Sequence, residues 1–147
     1  MNAENSHILL VEDDPNDIEL TERAFRKVNL LNELKVVTDG QEALDYLFCQ
    51  GDYSQRNPTD LPNVVLLDLN MPKVSGFEVL KQIRQNEITR FLPVVVMTSS
   101  SHDLDRLKSY REGCNSYVQK PVNFDDFVSA VNQLGMYWLL LNKNPNR

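Results

Sequence analysis

Apolar and polar positions alternate along this chain in two rhythms. Short apolar runs rich in β-branched residues, His7–Val11, Leu34–Val37, Val64–Leu67, Val94–Met97 and Ser116–Val118, read as strands, because a strand covered on both faces needs no polar alternation. Between them the apolar residues recur three and four positions apart, as in Ile18, Thr21, Phe25 and Val28, then Ala43, Leu44, Leu47 and Phe48. The same helical spacing joins Phe77, Leu80 and Ile83, and again Leu104, Leu107 and Tyr110. A fifth helix is predicted from Phe124 to Leu141. Asp14 is placed to cap the first helix, with Pro15 in its first turn and Asp17 at the positive end of its dipole; Asn123 is placed to cap the last. Gly113 suits the C-terminal cap of the helix ending near Tyr110.

Strands that alternate with helices are joined by right-handed crossovers, so a parallel sheet covered on both faces, a three-layer α/β/α sandwich, is the economical solution. The pattern itself does not disclose the strand order. Gly51–Asn63, with Pro58 and Pro62, reads as the one long irregular loop.

At 147 residues, 41% apolar and 24% charged, the chain suits a single domain with its own core. The formal charge is −6 and no basic run occurs, which argues against direct nucleic-acid binding. Apolar stretches such as Val94–Met97 and Met136–Leu141 are far short of the roughly 20 residues a bilayer span needs. Residues 1–6 lack the basic start and apolar stretch of a secretory signal, so a cytoplasmic location is expected. Cys49 and Cys114 match no metal-ligand spacing and read as small buried or half-buried thiols.

Several predicted strands deliver an unusual polar residue just after the apolar run. The first delivers Glu12, Asp13 and Asp14, the third Asp68, the fourth Thr98, and the fifth Lys120 followed by Pro121. In an open parallel sheet, ligands bind outside the carboxyl ends of the strands, so these residues are expected to share one edge. Carboxylates within ~5 Å repel by roughly 3 kcal/mol per pair at an effective dielectric near 20, so the cluster calls for a cation. An oxygen-only donor set without nearby His or Cys favours Mg2+ over zinc. A carboxylate held beside that metal and Lys120 is placed to attack an activated phosphoryl donor, with the Thr98 hydroxyl bonding the transferred oxygens.

With those residues located, the sequence resembles the receiver domains of two-component response regulators. The resemblance rests on Ile8–Pro15 with its acidic pair, Val64–Pro72 with Asp68, Gly76, Val94–Ser99 with Thr98, and Gly113–Pro121 with Tyr117 and Lys120, in that order. It implies a flavodoxin-like fold whose five-stranded parallel sheet has the order 2-1-3-4-5 with five helices, as one domain over 1–147. The core would cover about 7–134, the last helix would continue to about 141, and 142–147 would form a polar tail.

For the site, the resemblance implies Asp68 as phosphoacceptor, Asp13 and Asp68 as direct Mg2+ ligands, the Asn70 backbone carbonyl as a third, and Glu12 acting through water. Lys120 and Thr98 would receive the phosphoryl charge, and Tyr117 would swing as Thr98 moves. The implied donor is a sensor histidine kinase or phosphotransfer protein. The chain would be a switch that assists its own phosphorylation and dephosphorylation, without being a turnover enzyme.

The long loop and the last helix, where Tyr137, Leu139 and Leu140 exceed one core-facing stripe, resemble the stand-alone regulators paired with bacterial, especially cyanobacterial, phytochromes. A homodimer through that helix is the specific expectation. No output module fits after Leu141, so the signal is expected to leave through contacts with a downstream protein. The chief rivals are an aspartyl-phosphate hydrolase, which needs a second Asp where Asn70 stands, and a module that binds partners without phosphorylation. A flavin binder is disfavoured because Glu12, Asp13 and Asp14 would repel phosphate.

Overall fold

The computed structural model describes residues 7–28, 33–69, 71–98, 108, 110–119 and 124–135. In chain order they form β1 (His7–Val11), α1 (Pro15–Lys27), β2 (Glu33–Val37), α2 (Gly40–Leu47), a 3-10 turn (Gly51–Tyr53), β3 (Val64–Leu67), α3 (Gly76–Gln85), β4 (Val94–Thr98), β5 (Ser116–Gln119) and α4 (Phe124–Gly135). The five strands make one sheet in the order β2-β1-β3-β4-β5. All four pairings are parallel. This is the flavodoxin-like order that the family resemblance implies.

Alternation at the strand level explains the continuous apolar runs. Leu9, Val11, Val65, Leu67, Val94 and Val96 face α2 and α3 in one core, joined by Leu44, Leu47, Val79, Leu80 and Ile83. Ile8, Leu10, Val64, Leu66, Val95 and Met97 face the opposite way, against Ala24 and Phe25 of α1 and Phe127 and Val131 of α4. Successive side chains of β1, β3 and β4 thus enter different cores, which is why these runs are apolar without alternation.

Side-chain caps open the first three helices, Asp14 as the sequence predicts and Asp39 and Ser75 as the structure adds. Asp14 accepts from Asn16 N at 2.9 Å with Pro15 opening α1, and Asp39 and Ser75 accept from Glu42 N and Glu78 N to open α2 and α3. Three strands extend by one residue beyond their apolar runs, through Glu33, Thr98 and Gln119, because pairing is a property of the backbone. Phe48 is the C-cap of α2 and not its last helical residue. Of the helix predicted around Leu104–Tyr110, only Lys108 and Tyr110 are described, both helical; Gly113 then takes φ +103 and donates its N–H to Tyr110 O. Asn123 and the continuation of the last helix to Leu141, including Tyr137, Leu139 and Leu140, lie outside the described residues.

The loop between α2 and β3 is packed against the domain. The Arg56 guanidinium lies 3.8 Å from the Tyr46 ring centroid and donates to the carbonyls of Tyr46 and Asp60. The Tyr53 ring meets Tyr46 edge-on at 5.1 Å, and its hydroxyl donates to Glu42 Oε2 at 2.6 Å. Tyr46 in turn shares a hydrogen bond with His7 Nε2 at 3.0 Å, which ties the loop's platform to the start of β1. Among the described residues, no helix is long and apolar enough to cross a membrane.

The two thiols differ. Cys114 is buried, and burial pushes its thiol up to about 11. Cys49 is half-exposed beside the Arg56 guanidinium, with Sγ 3.6 Å from Nη1. Since the thiolate is the nucleophile, iodoacetamide at pH 8 is expected to label Cys49 well before Cys114. Peptide mapping that finds equal rates would contradict this.

Candidate metal centre

The parallel ladder between β1 and β3 aligns Val11 with Leu67, so the residues that follow, Glu12 and Asp68, leave the sheet side by side. Backbone bonds carry the alignment past the strand ends: Asp68 N donates to Val11 O at 3.1 Å and Glu12 N to Val37 O at 3.0 Å. The Asp14 amide then donates to Glu12 Oε2 at 3.2 Å, turning the chain into α1. One carboxylate oxygen each from Glu12, Asp13 and Asp68 falls within 4.8 Å of the other two. Glu12 is 2% exposed and Asp68 8%, whereas Asp13 opens to solvent.

Three close carboxylates with two of them buried form a negative pocket, stable only when the charge is compensated. The donors are all oxygen, and one faces water, which fits a small hard divalent cation that keeps some of its hydration shell. Glu12, Asp13 and Asp68 are the residues present to hold it.

The floor of the pocket is shaped by a close helix approach. Gly76, the first residue of α3, donates its N–H to Leu69 O at 3.0 Å. A Cβ at this position would lie 2.3 Å from the Asp68 carbonyl oxygen and 2.7 Å from Leu69 Cα. Glycine is therefore what lets α3 start directly against the two residues that follow β3. Gly40 has the same role at the start of α2, where a Cβ would meet the Val74 carbonyl oxygen at 1.8 Å. Lys73, at φ +66, places Nζ 3.5 Å from Asp39 Oδ2, a pair worth little by itself because the lysine is exposed.

The remaining sequence-predicted residues reach the same edge to different degrees. Thr98 is the last residue of β4 and pairs with Gln119 of β5. Tyr117 pairs with Val96 and is half-buried against the α2–α3 core. Asn70 and Lys120 lie outside the described residues. The carboxylate trio is thus brought together, and β4 and β5 end at the same edge of the sheet.

A residue missed by sequence reading is Arg84, half-buried at the end of α3. Its guanidinium donates to Gly113 O at 2.8 Å, Leu92 O at 2.7 Å, Arg90 O at 3.1 Å and Asn115 Oδ1 at 2.9 Å. Burial lowers its affinity for the proton. The only sequence signal is a basic residue in a last helical turn, which ordinarily serves the helix dipole.

Residues 8–132 match the pattern of the response regulator receiver domain. The chain is 41% identical over 138 residues to the probable methanogenesis regulatory protein FilR2 of Methanothrix harundinacea, covering 94% of this chain and 86% of that one. It is 39% identical over 132 residues to response regulator Rcp1 of Synechocystis, covering 90% and 88%. The Mn2+-bound form of Rcp1 superposes with a TM-score of 0.84 at 36% identity, covering 95% of this chain and 99% of that one. The phosphorylated cyanobacterial phytochrome response regulator RcpA gives 0.86 at 34% identity, covering 95% and 98%.

Proposed function

The chain belongs to the response regulator receiver family, and from that premise we propose that it is a phosphorylation switch in which Asp68 accepts a phosphoryl group from a histidine kinase. The observation that carries the proposal is the carboxylate trio of Glu12, Asp13 and Asp68 at the carboxyl end of the sheet. Asp13 and Asp68 would hold Mg2+ directly, the Asn70 carbonyl would add a third contact, and Glu12 would act through water. When bound, the metal neutralises the carboxylates and draws charge from the transferring oxygens.

An Asp68 carboxylate oxygen attacks the phosphorus of a phosphohistidine. The P–N bond breaks as the P–O bond forms, and the imidazole, already protonated on its other ring nitrogen, leaves as the neutral base. Lys120 pairs with the phosphoryl oxygens and Thr98 donates its hydroxyl to them, since the product brings nearly two negative charges into the pocket. Movement of Thr98 draws Tyr117 inward, and the altered surface is read by a downstream protein. Similarity to Rcp1 and RcpA supports a phytochrome-type kinase as the donor. A homodimer through the last helix and a cytoplasmic location complete the proposal.

Incubation with acetyl phosphate tests it. Intact-mass measurement is expected to find one added phosphoryl group in Mg2+ and none in EDTA, with the modified peptide containing Asp68. No addition, or addition that ignores the metal or maps elsewhere, overturns the assignment.

A further inference from the structure

The pocket is assembled from two pairs of strands that are secured by different means. Glu12 and Asp13 follow β1 and Asp68 follows β3, two neighbours flanked by β2 on one side and β4 on the other. Thr98 ends β4, and β5 leads into Lys120. The start of that second pair is fastened by side chains. Asn115 Oδ1 accepts from both Arg84 Nη2 at 2.9 Å and Val94 N at 2.8 Å, while Asn115 N donates to Val94 O at 2.8 Å. These bonds add a rung just ahead of the first ladder pair, Val95 with Ser116.

Arg84 completes the fastening from α3. Its fork holds Leu92 O and Arg90 O on the segment entering β4, and Gly113 O and Asn115 Oδ1 on the turn entering β5. Gly113 makes room for it: at φ +103, an added Cβ would stand 3.1 Å from Arg84 Cγ and Nε. Thr89, fully buried, donates its hydroxyl to Ile83 O at 2.7 Å and fixes the turn that Arg84 spans. Only a planar guanidinium bridges acceptors spread this way; a lysine ammonium is a point charge that would satisfy one or two of them.

We infer that Arg84, with Asn115, is a positioning residue that sets where β4 and β5 begin relative to α3 and so fixes the register in which these strands end, at Thr98 and Gln119, on the edge that carries the acidic trio. This deepens the proposed function and rests on it. The metal-holding half depends on the β1–β3 ladder and Gly76, which Arg84 does not touch. The phosphoryl-receiving half depends on the staple.

The test uses full-length Arg84→Met, Arg84→Lys and Asn115→Ala, with Mn2+ affinity measured by electron paramagnetic resonance and phosphorylation from acetyl phosphate timed at saturating Mg2+. Mn2+ affinity is expected to stay within about twofold of wild type in all three, while Arg84→Met phosphorylates about ten- to a hundredfold more slowly through misplacement of the receiving groups. Arg84→Lys is expected to remain slow, because charge alone does not bridge the strands. Wild-type rates in the folded variants, full rescue by lysine, or parallel loss of Mn2+ binding and phosphorylation would each overturn the inference. If Arg84→Met does not fold, Asn115→Ala, which removes one exposed acceptor, decides the matter by the same two readings. A wild-type protein that takes no phosphoryl group on Asp68 would instead refute the function itself.

Discussion

Asp68→Asn is expected to melt above the wild-type protein in EDTA, by a margin that saturating Mg2+ largely removes. Carboxylate oxygens of Glu12, Asp13 and Asp68 lie within 4.8 Å of one another, and EDTA withdraws any cation that would screen them. A pair at that separation repels by between about 1 and 3 kcal/mol as the effective dielectric falls from that of water to 20. The lower figure suits Asp13, which faces solvent, and the higher one Glu12, which is 2% exposed. The amide removes one charge from both pairs and offers Glu12 a donor. Each 1 kcal/mol moves the melting temperature of a domain this size by roughly 2–4 °C. Metal closes most of that gap, because a ligand at a hundred times its Kd stabilises the wild type by about 2.7 kcal/mol, which the variant forfeits. Calorimetry in both buffers checks the pair of results. A variant that melts lower in EDTA would mean that the Asp68 carboxylate is a net stabiliser of the apo fold, and an absent Mg2+ shift in wild type would remove the metal from the site.

That trade explains why the acidic residues could be read from sequence. Each follows a run that leaves no doubt about the strand, and a carboxylate placed directly after Val64–Leu67 has few purely structural uses. The sheet order was harder, although it left a trace. β1 and β3 are buried along their whole length, whereas β2 carries Glu33 and Lys35 and is buried fully only at Val37. A charged residue inside a short apolar run is what an edge strand shows. The family resemblance supplied the order, and only with the structure in view does Lys35 mark β2 as the edge.

What remained illegible depends on partners with no fixed spacing. Tyr46 falls outside the Ala43, Leu44, Leu47 and Phe48 stripe because the loop covers it, through Arg56 and Tyr53, more than the sheet does. Arg84 bridges residues 90 and 92 to residues 113 and 115, and no periodicity links those positions. Both clusters are held by guanidinium contacts to backbone carbonyls, whose acceptors carry no residue identity for a sequence to display.

Gly76→Ala sets two general effects against each other and is expected to fall on the side of sterics. Helix propensity alone favours alanine over glycine by about 0.8–1.0 kcal/mol, so an unconstrained first-turn position would be stabilised. Here the new methyl group would sit 2.3 Å from the Asp68 carbonyl oxygen and 2.7 Å from Leu69 Cα. Both are backbone atoms, so no side-chain rotation relieves the contact. Either α3 withdraws or the end of β3 moves, and overpacking of this kind costs about 1–3 kcal/mol or more. The second outcome shifts Asp68 relative to Glu12 and Asp13. Gly76→Ala is therefore expected to lower the denaturant midpoint and to slow phosphorylation by acetyl phosphate together, with weaker Mn2+ binding. That joint loss differs from the Arg84 variants, which are expected to keep their metal. Ser75→Ala is the control: it removes the cap bond to Glu78 N at the same helix end for about 1 kcal/mol without adding an atom, and should leave the phosphorylation rate near wild type. A Gly76→Ala protein that is more stable than wild type and equally fast would show that α3 yields freely, and that its closeness to Asp68 is not what fixes the acceptor.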